Sequence, residues 1–344
     1  MYLPLILLRD LGWPGFLAFA IPNVVGAVAF GYVLASRARS EALIARQRPA
    51  LRWFSITAVA YHAFFAAFLV TILTPDTPAP WPGLIAGAAV IAGGLGLSFL
   101  PVRVFPVLAV VVYAVSLLTL VKLGLSDLAT MPAPGARPAE QLVWLAPVLA
   151  FGFLLCPYLD LTFHRALRET PSRHAFAVFG ATFTVMILLT CVYRDHVVLA
   201  IVPLAHIAAQ SIFTTAAHLR ELRCLGDTPP GRGVGLALVV AAAALLLVLA
   251  LGSDPTTSGE AVYLRFLVFY GLIFPAWVLL FTGPGRGLSL SRRNLLIYAA
   301  VMIAALPFYE AGFIGGHMWL VPVPVAAIAV WAIAARIGNL KSQI

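Results

Sequence analysis

The residues able to do chemistry in this chain are few, and they gather in three places. Asp160, His164 and Arg168 recur at i, i+4 and i+8, so a helix through them puts all three on one face. A carboxylate and a histidine so placed can relay a proton or gate one end of a path through a bilayer. They can also anchor the chain, with Asp160 paired to His164 or Arg165 at headgroup level. Just upstream runs Phe151-Gly152-Phe153-Leu154-Leu155-Cys156-Pro157-Tyr158. Pro157 lacks a backbone N–H and crowds the carbonyl one turn before it. With Gly152 five residues earlier, a helix here is expected to bend or unwind in its middle. Freed carbonyls and half-helix ends are how many membrane proteins hold a small ligand. On that reading Gly152, Phe153, Cys156, Pro157 and Tyr158 form a substrate-binding segment. On the plainer one they form a proline kink.

The third group is hydroxylic. In Gln210-Ser211-Ile212-Phe213-Thr214-Thr215, Ser211 and Thr215 are four apart and face the same way, with Thr214 beside them. Hydroxyl oxygens suit a small hard cation, yet they also bond their own i−4 carbonyls or pack helix on helix. Of the seven histidines, His164, His174, His196, His218 and His317 fall near the ends of apolar runs, and His62 and His206 near the middle of theirs. Two lone histidines can ligate haem or a metal across helices. Neither HExxH nor a His-x3-His pair is present, so a hydrogen bond to a neighbouring helix is the simpler role. Cys156, Cys191 and Cys224 lack the paired spacing of a metal site and read as small apolar packing residues.

The elements that position these groups can be read from composition. Apolar residues make up 62% of the 344 and charged ones only 10%, against roughly 25% charged in a soluble domain. Such a chain cannot cover a water-facing surface. A span needs about 20 apolar residues, and the sequence predicts about eleven, near 11–35, 51–73, 83–100, 104–124, 141–163, 174–194, 197–219, 233–252, 261–282, 294–313 and 317–336. The expected fold class is an all-α polytopic membrane helical bundle, with 1–344 as one integral-membrane domain. The first apolar run is too long for a signal peptide and lacks a basic leader, so it is read as a span.

The net charge of +9 does not point to nucleic acid, because the basic residues sit in short loops between apolar runs. Taking alternate loops as cytoplasmic places 17 of the 22 Lys and Arg on one side, leaving Arg9, Lys122, Arg137, Arg194 and Arg265 on the other. That asymmetry puts the N-terminus outside and the C-terminus inside. Lysine occurs only at 122 and 341, and the Arg, Ala and Pro bias looks like a GC-rich bacterial genome.

The order of these features resembles the sodium/solute symporter family and, more broadly, the LeuT-like transporter fold of two inverted repeats. Three stretches carry the likeness. Ala146-Pro147 to Arg165, with Phe151-Gly152 and Cys156-Pro157-Tyr158 inside it, is similar to the family's broken sixth core helix. Ser211 to Thr215 falls where the eighth carries cation-binding hydroxyls. Gly12 to Ala35, followed by the basic stretch Arg37 to Arg52, is like the second core helix and its inner loop. The chain departs from the pattern at its start: Met1-Tyr2-Leu3-Pro4-Leu5 is at most the tail of the first core helix. The resemblance implies substrate contacts from Gly152, Phe153, Cys156, Pro157 and Tyr158, and a cation site at Ser211, Thr214 and Thr215. It further implies an inner gate or proton relay at Asp160 and His164, with Na+ or H+ as coupling ion and no other cofactor.

The expected protein is therefore a secondary transporter of a small solute, not an enzyme, in a bacterial inner membrane. Its partners are the lipid bilayer and the solute. Two alternatives stay open: a transport-inactive sensor or scaffold, and a redox, haem or metal subunit using His62 and His206.

Overall fold

The computed structural model describes residues 2–74, 80–123, 135–170, 172, 174–196, 201–226, 229, 231–251, 254–283 and 287–341. Among them every regular element is a helix: α1 (Leu3–Leu34), α2 (Arg37–Leu73), α3 (Trp81–Ser98), α4 (Phe105–Leu123), α5 (Leu142–Leu155), α6 (Leu161–Glu169), α7 (Ala175–His196), α8 (Ile201–Cys224), α9 (Arg232–Leu246), α10 (Pro255–Val268), α11 (Phe274–Phe281), α12 (Arg292–Tyr309) and α13 (Pro322–Lys341). A π-helical turn, Phe269–Ile273, joins α10 to α11, and a second, Glu310–Ile314, extends α12.

Eight stretches of the described chain are long and apolar enough to cross a membrane: Leu3–Leu34, Arg37–Leu73, Trp81–Ser98, Ala139–Leu159, Arg232–Ala250, Thr257–Phe281, Arg292–Ile314 and Met318–Ile337. Val102–Leu118 and Ala175–Cys191 are shorter apolar helices. The chain is a multi-pass, all-helical membrane protein. Pro75–Asp76–Thr77–Pro78, Met131–Pro132–Ala133–Pro134 and residues 197–200, at predicted span ends, lie outside the described residues.

Three boundaries differ from the sequence reading. The first span, expected from residue 11, begins at Leu3. The stretch Arg37 to Arg52, expected as a loop, is helical and leads into the following span across a kink. Its Ala, Arg, Leu, Glu and Gln are good helix formers, and Arg37 pairs with Glu41 at i,i+4. Helical dihedrals lapse at Gln47 (φ −114, ψ 21), two residues before Pro49. The span expected at 141–163 ends at Leu159.

The chain divides into two compact units. Unit 1 comprises Met1–Leu5, Leu51–Pro132 and Thr182–Tyr263. There α3 lies close on α2, because a Cβ on Gly83 would come within 2.5 Å of the Ala67 carbonyl oxygen and one on Gly87 within 2.8 Å of that of Ala63. Small residues permit such approach where lipid offers no hydrophobic drive between helices. Unit 2 comprises Ile6–Ala50, Ala133–Ala181 and Leu264–Ile344, with a core that includes Val148, Leu272, Phe281, Tyr298, Met302 and Val321.

Candidate functional site

In unit 2, α5 stops at Leu155, Cys156–Leu159 forms a 3-10 turn, and Asp160 is extended (φ −85, ψ 110) before α6 begins. Pro157 cannot continue the hydrogen-bond ladder, and Asp160 restarts it as an N-cap. Its Oδ1 accepts from the Thr162 backbone N–H at 2.8 Å and from the Thr162 hydroxyl at 2.7 Å. The interruption predicted from Pro157 is present, but it sits at the end of the span Ala139–Leu159 and not in its middle. Helix α6 beyond it is short and amphipathic, with Leu161, His164 and Leu167 buried and Arg165 pairing with Glu169 one turn on.

The broken end of α5 meets a second irregular helix. A Cβ on Gly152 would lie 2.8 Å from the Tyr270 carbonyl oxygen, and the Cys156 thiol donates to that same oxygen at 3.1 Å. Tyr270 belongs to the π turn, where wide helical winding and Pro275 leave carbonyls without their usual partners. Pro275 has no N–H for Gly271 four residues earlier, and the Tyr309 hydroxyl donates to that carbonyl instead, at 2.9 Å. The Tyr298 hydroxyl serves Ile273 at 2.6 Å. Two interrupted helices therefore touch through backbone, with side chains supplying the missing donors.

The five predicted substrate residues divide between two neighbours. Gly152 and Cys156 face the π turn. Phe153 and Tyr158 face α1: Phe153 meets Phe19 edge-on at 4.8 Å, and Tyr158 packs on Phe30 at 5.6 Å. A Cβ on Gly26 of α1 would come within 2.2 Å of the Phe153 carbonyl oxygen. Pro157 is buried in the turn between them.

His164 is fully buried and tied on both ring nitrogens. Nε2 lies 3.0 Å from the Tyr158 carbonyl oxygen, which only accepts, so Nε2 carries the proton. Nδ1 then accepts from the Ser40 hydroxyl at 2.8 Å, and Phe30 closes one side edge-on at 5.0 Å. Burial pushes this imidazole down to about 4; the Tyr158 carbonyl and Asp160 oppose the shift, and Arg168 adds to it. Asp160 and His164 touch through backbone, His164 N–H donating to Asp160 O at 3.2 Å. Arg168 Nε reaches the His164 carbonyl at 3.3 Å.

Ser211, Thr214 and Thr215 belong to unit 1. Ser211 and Thr215 are buried, Thr214 is half-buried, and the Thr215 hydroxyl makes no hydrogen bond among the described residues. Gly94 of α3 makes room for the Thr215 methyl, which would stand 2.4 Å from a Cβ there. On the same helix His218 Nδ1 meets the Ser55 hydroxyl at 3.1 Å. His62 Nδ1 donates to the Ala58 carbonyl at 2.7 Å. Ser116 donates to Val112 O at 2.8 Å, so it accepts from His206 Nδ1 at 2.6 Å and from Gln210 at 3.3 Å. Among the described residues no three His, Cys, Asp or Glu side chains group as metal ligands.

Besides the π turns, a break in α1 was absent from the sequence reading. Helix α1 breaks at Gly12 (φ 65, ψ −159), a left-handed φ that glycine adopts without steric cost. Pro14 has no N–H for the Asp10 carbonyl, and Arg137 N–H takes that oxygen at 2.7 Å while Ala136 N–H takes that of Arg9 at 3.0 Å. Gly12-Trp13-Pro14 was the available signal. No protein family, curated protein or solved structure matches this chain.

Proposed function

We propose that the protein is a secondary transporter of a small solute, built as a LeuT-like bundle of about eleven spans and working by alternating access. The count adds α4, α7 and the polar α8 to the eight apolar stretches. The observation that carries the reading is the meeting of two interrupted helices in unit 2, where Gly152 and Cys156 lie against the Tyr270 carbonyl. Irregular backbone inside a membrane persists only where protein or a wet cavity satisfies it, and transporters bind their cargo at such breaks. In this reading Gly152 to Tyr158 hold the solute, and Ser211, Thr214 and Thr215 hold a coupling Na+, or H+ drives the cycle without them. Asp160 and His164 fix the hinge at the inner end. The buried Thr215 hydroxyl, without a hydrogen-bond partner among the described residues, supports the cation role, since it offers a free oxygen ligand.

The test is uptake by proteoliposomes across a panel of small solutes, under imposed sodium and proton gradients. Gradient-driven uptake of one solute class is expected, lost in Gly152→Leu. A Thr214→Ala, Thr215→Ala double variant should lose sodium dependence. Uptake of no solute under either gradient defeats the transporter reading, and unchanged sodium dependence in the double variant removes the cation site.

A further inference from the structure

Arg265 and Glu310 bridge α10 and the π turn after α12 through two hydrogen bonds. Arg265 Nε donates to Oε2 at 3.0 Å, and Nη2 donates to Oε1. Both residues lie within stretches apolar enough to span a bilayer, Thr257–Phe281 and Arg292–Ile314, where ionisable side chains are costly and usually functional. Protein does not enclose them: each side chain is 49% exposed. Beside them unit 2 carries a groove of about 580 Å3, with walls that include Leu264, Val268, Ile303, Leu306, Phe313 and Ile314. Ile303 is 67% exposed. The volume suits a small ligand, but walls this apolar and this open suit hydrocarbon and not a water-borne solute.

We infer that this groove binds an aminophospholipid, with one acyl chain along the apolar wall, the phosphate on Arg265 and the ammonium on Glu310. Charge complementarity selects this occupant. The pair is neutral overall and presents both signs side by side, which matches a zwitterion. A phospholipid with an anionic headgroup would set negative charge against Glu310 with nothing to offset it. A choline headgroup carries its positive charge without an N–H, so it cannot donate to the carboxylate. A guanidinium has more donors than the two engaged on Glu310 and matches phosphate geometry. Depth agrees as well. Glu310 is four residues from the end of Arg292–Ile314, about 6 Å along the helix, and the long arginine side chain can snorkel to the same level.

The test is native mass spectrometry of the full chain released from nanodiscs with equal phosphatidylethanolamine, phosphatidylcholine and phosphatidylglycerol. The wild-type protein should retain phosphatidylethanolamine about tenfold over either competitor, the scale of one charge-assisted hydrogen bond. Glu310→Gln should abolish that preference. Ile303→Trp, which fills the groove from an exposed position and leaves the ion pair intact, should remove bound lipid of every class. It also decides the matter if Glu310→Gln fails to fold. Equal retention of the three lipids, a preference for phosphatidylglycerol, or undiminished lipid in Ile303→Trp overturns the site. A preference unchanged in Glu310→Gln overturns the headgroup assignment.

Discussion

Unit 2 and unit 1 introduce polarity into an apolar bundle in different ways. In unit 2 much of it comes from the backbone, beside side-chain pairs such as Ser40 with His164: α1 opens at Gly12, α5 ends in a 3-10 turn, and π turns interrupt the helices at Phe269–Ile273 and Glu310–Ile314. The carbonyls freed at Asp10, Tyr270 and Gly271 are taken by Arg137, Cys156 and Tyr309. In unit 1, α3 and α8 run without a break, and the polar atoms are side chains on regular helices, such as Ser55, Ser116, His206, Thr215 and His218. Backbone polarity depends on where glycine and proline put the chain, so it tolerates almost no added atom. Side-chain polarity can be removed by an isostere while the helix stays intact.

The largest expected effect breaks that comparison at its sharpest point. A side chain at Gly26 has nowhere to go, because its Cβ would meet the Phe153 carbonyl oxygen at 2.2 Å and Leu154 Cα at 2.9 Å, both backbone. Gly26→Val should destabilise unit 2 by about 3 kcal/mol or more and lower the melting temperature in detergent steeply. Gly96 of α3 in unit 1 has nothing within 4 Å of its Cβ position. There Gly96→Ala should be neutral or stabilising by up to about 1 kcal/mol. Equal melting temperatures for the two variants would defeat the contrast.

Next in size is a pH effect centred on His164. Its folded pKa is lowered from 6.5 to about 4. Above about pH 6.5 both folded and unfolded chains hold it neutral, and its contribution to stability is fully present. As pH falls toward 4 the unfolded chain takes up a proton that the folded one refuses, so stability drops, by up to about 3 kcal/mol. Asp160 and Arg168 are the charged groups acting on it, and Ser40 and Tyr158 hold its ring. His164→Asn should melt lower at pH 7.5 but lose the steep decline between pH 6.5 and 4. A decline as steep as in the wild type would place the titrating group elsewhere.

The sequence showed some of this and hid the rest for physical reasons. Eight apolar stretches were legible because lipid demands long apolar runs, and the break near Pro157 was legible because proline always removes a donor. Its depth was not, since the aspartate that ends the irregular stretch looked like chemistry: Asp160 at i−4 from His164 matches a relay, while the local signal, Asp160 two residues before Thr162, is that of a helix cap. The Gly12 break was missed because a left-handed glycine flanked by apolar residues reads as ordinary span. The π turn at Phe269 leaves no compositional mark beyond Pro275. The partners of His206 and His164, Ser116 and Ser40, are 90 and 124 residues away in the chain, and a single sequence holds no trace of such pairings.

A smaller effect sharpens the unit 1 side of the comparison. Among the described residues the Thr215 hydroxyl is buried without a hydrogen bond, a state that costs about 1–3 kcal/mol. Thr215→Val keeps the shape and the methyl that packs at Gly94 while removing that oxygen. It should raise stability by about 1 kcal/mol without sodium and erase any rise in melting temperature on adding sodium. A sodium-induced rise that survives the substitution would mean the hydroxyl is not a ligand.

The smallest effect separates capping from proton transfer at Asp160. A cap needs only an acceptor oxygen for the Thr162 N–H, which asparagine supplies as well as aspartate. Asp160→Asn should therefore change stability by a few tenths of a kcal/mol at most, whereas Asp160→Ala should lose about 1 kcal/mol and fray α6. A proton relay has the opposite requirement, because asparagine cannot ionise. If Asp160 carries protons between the solute path and the inner side, Asp160→Asn will keep its melting temperature and lose proton-driven uptake. If it only caps, uptake will track stability through the series, with asparagine near wild type and alanine below it. Oδ1 of the carboxylate already accepts from both the Thr162 N–H and the Thr162 hydroxyl, the geometry of a cap, so the second pattern is the one expected.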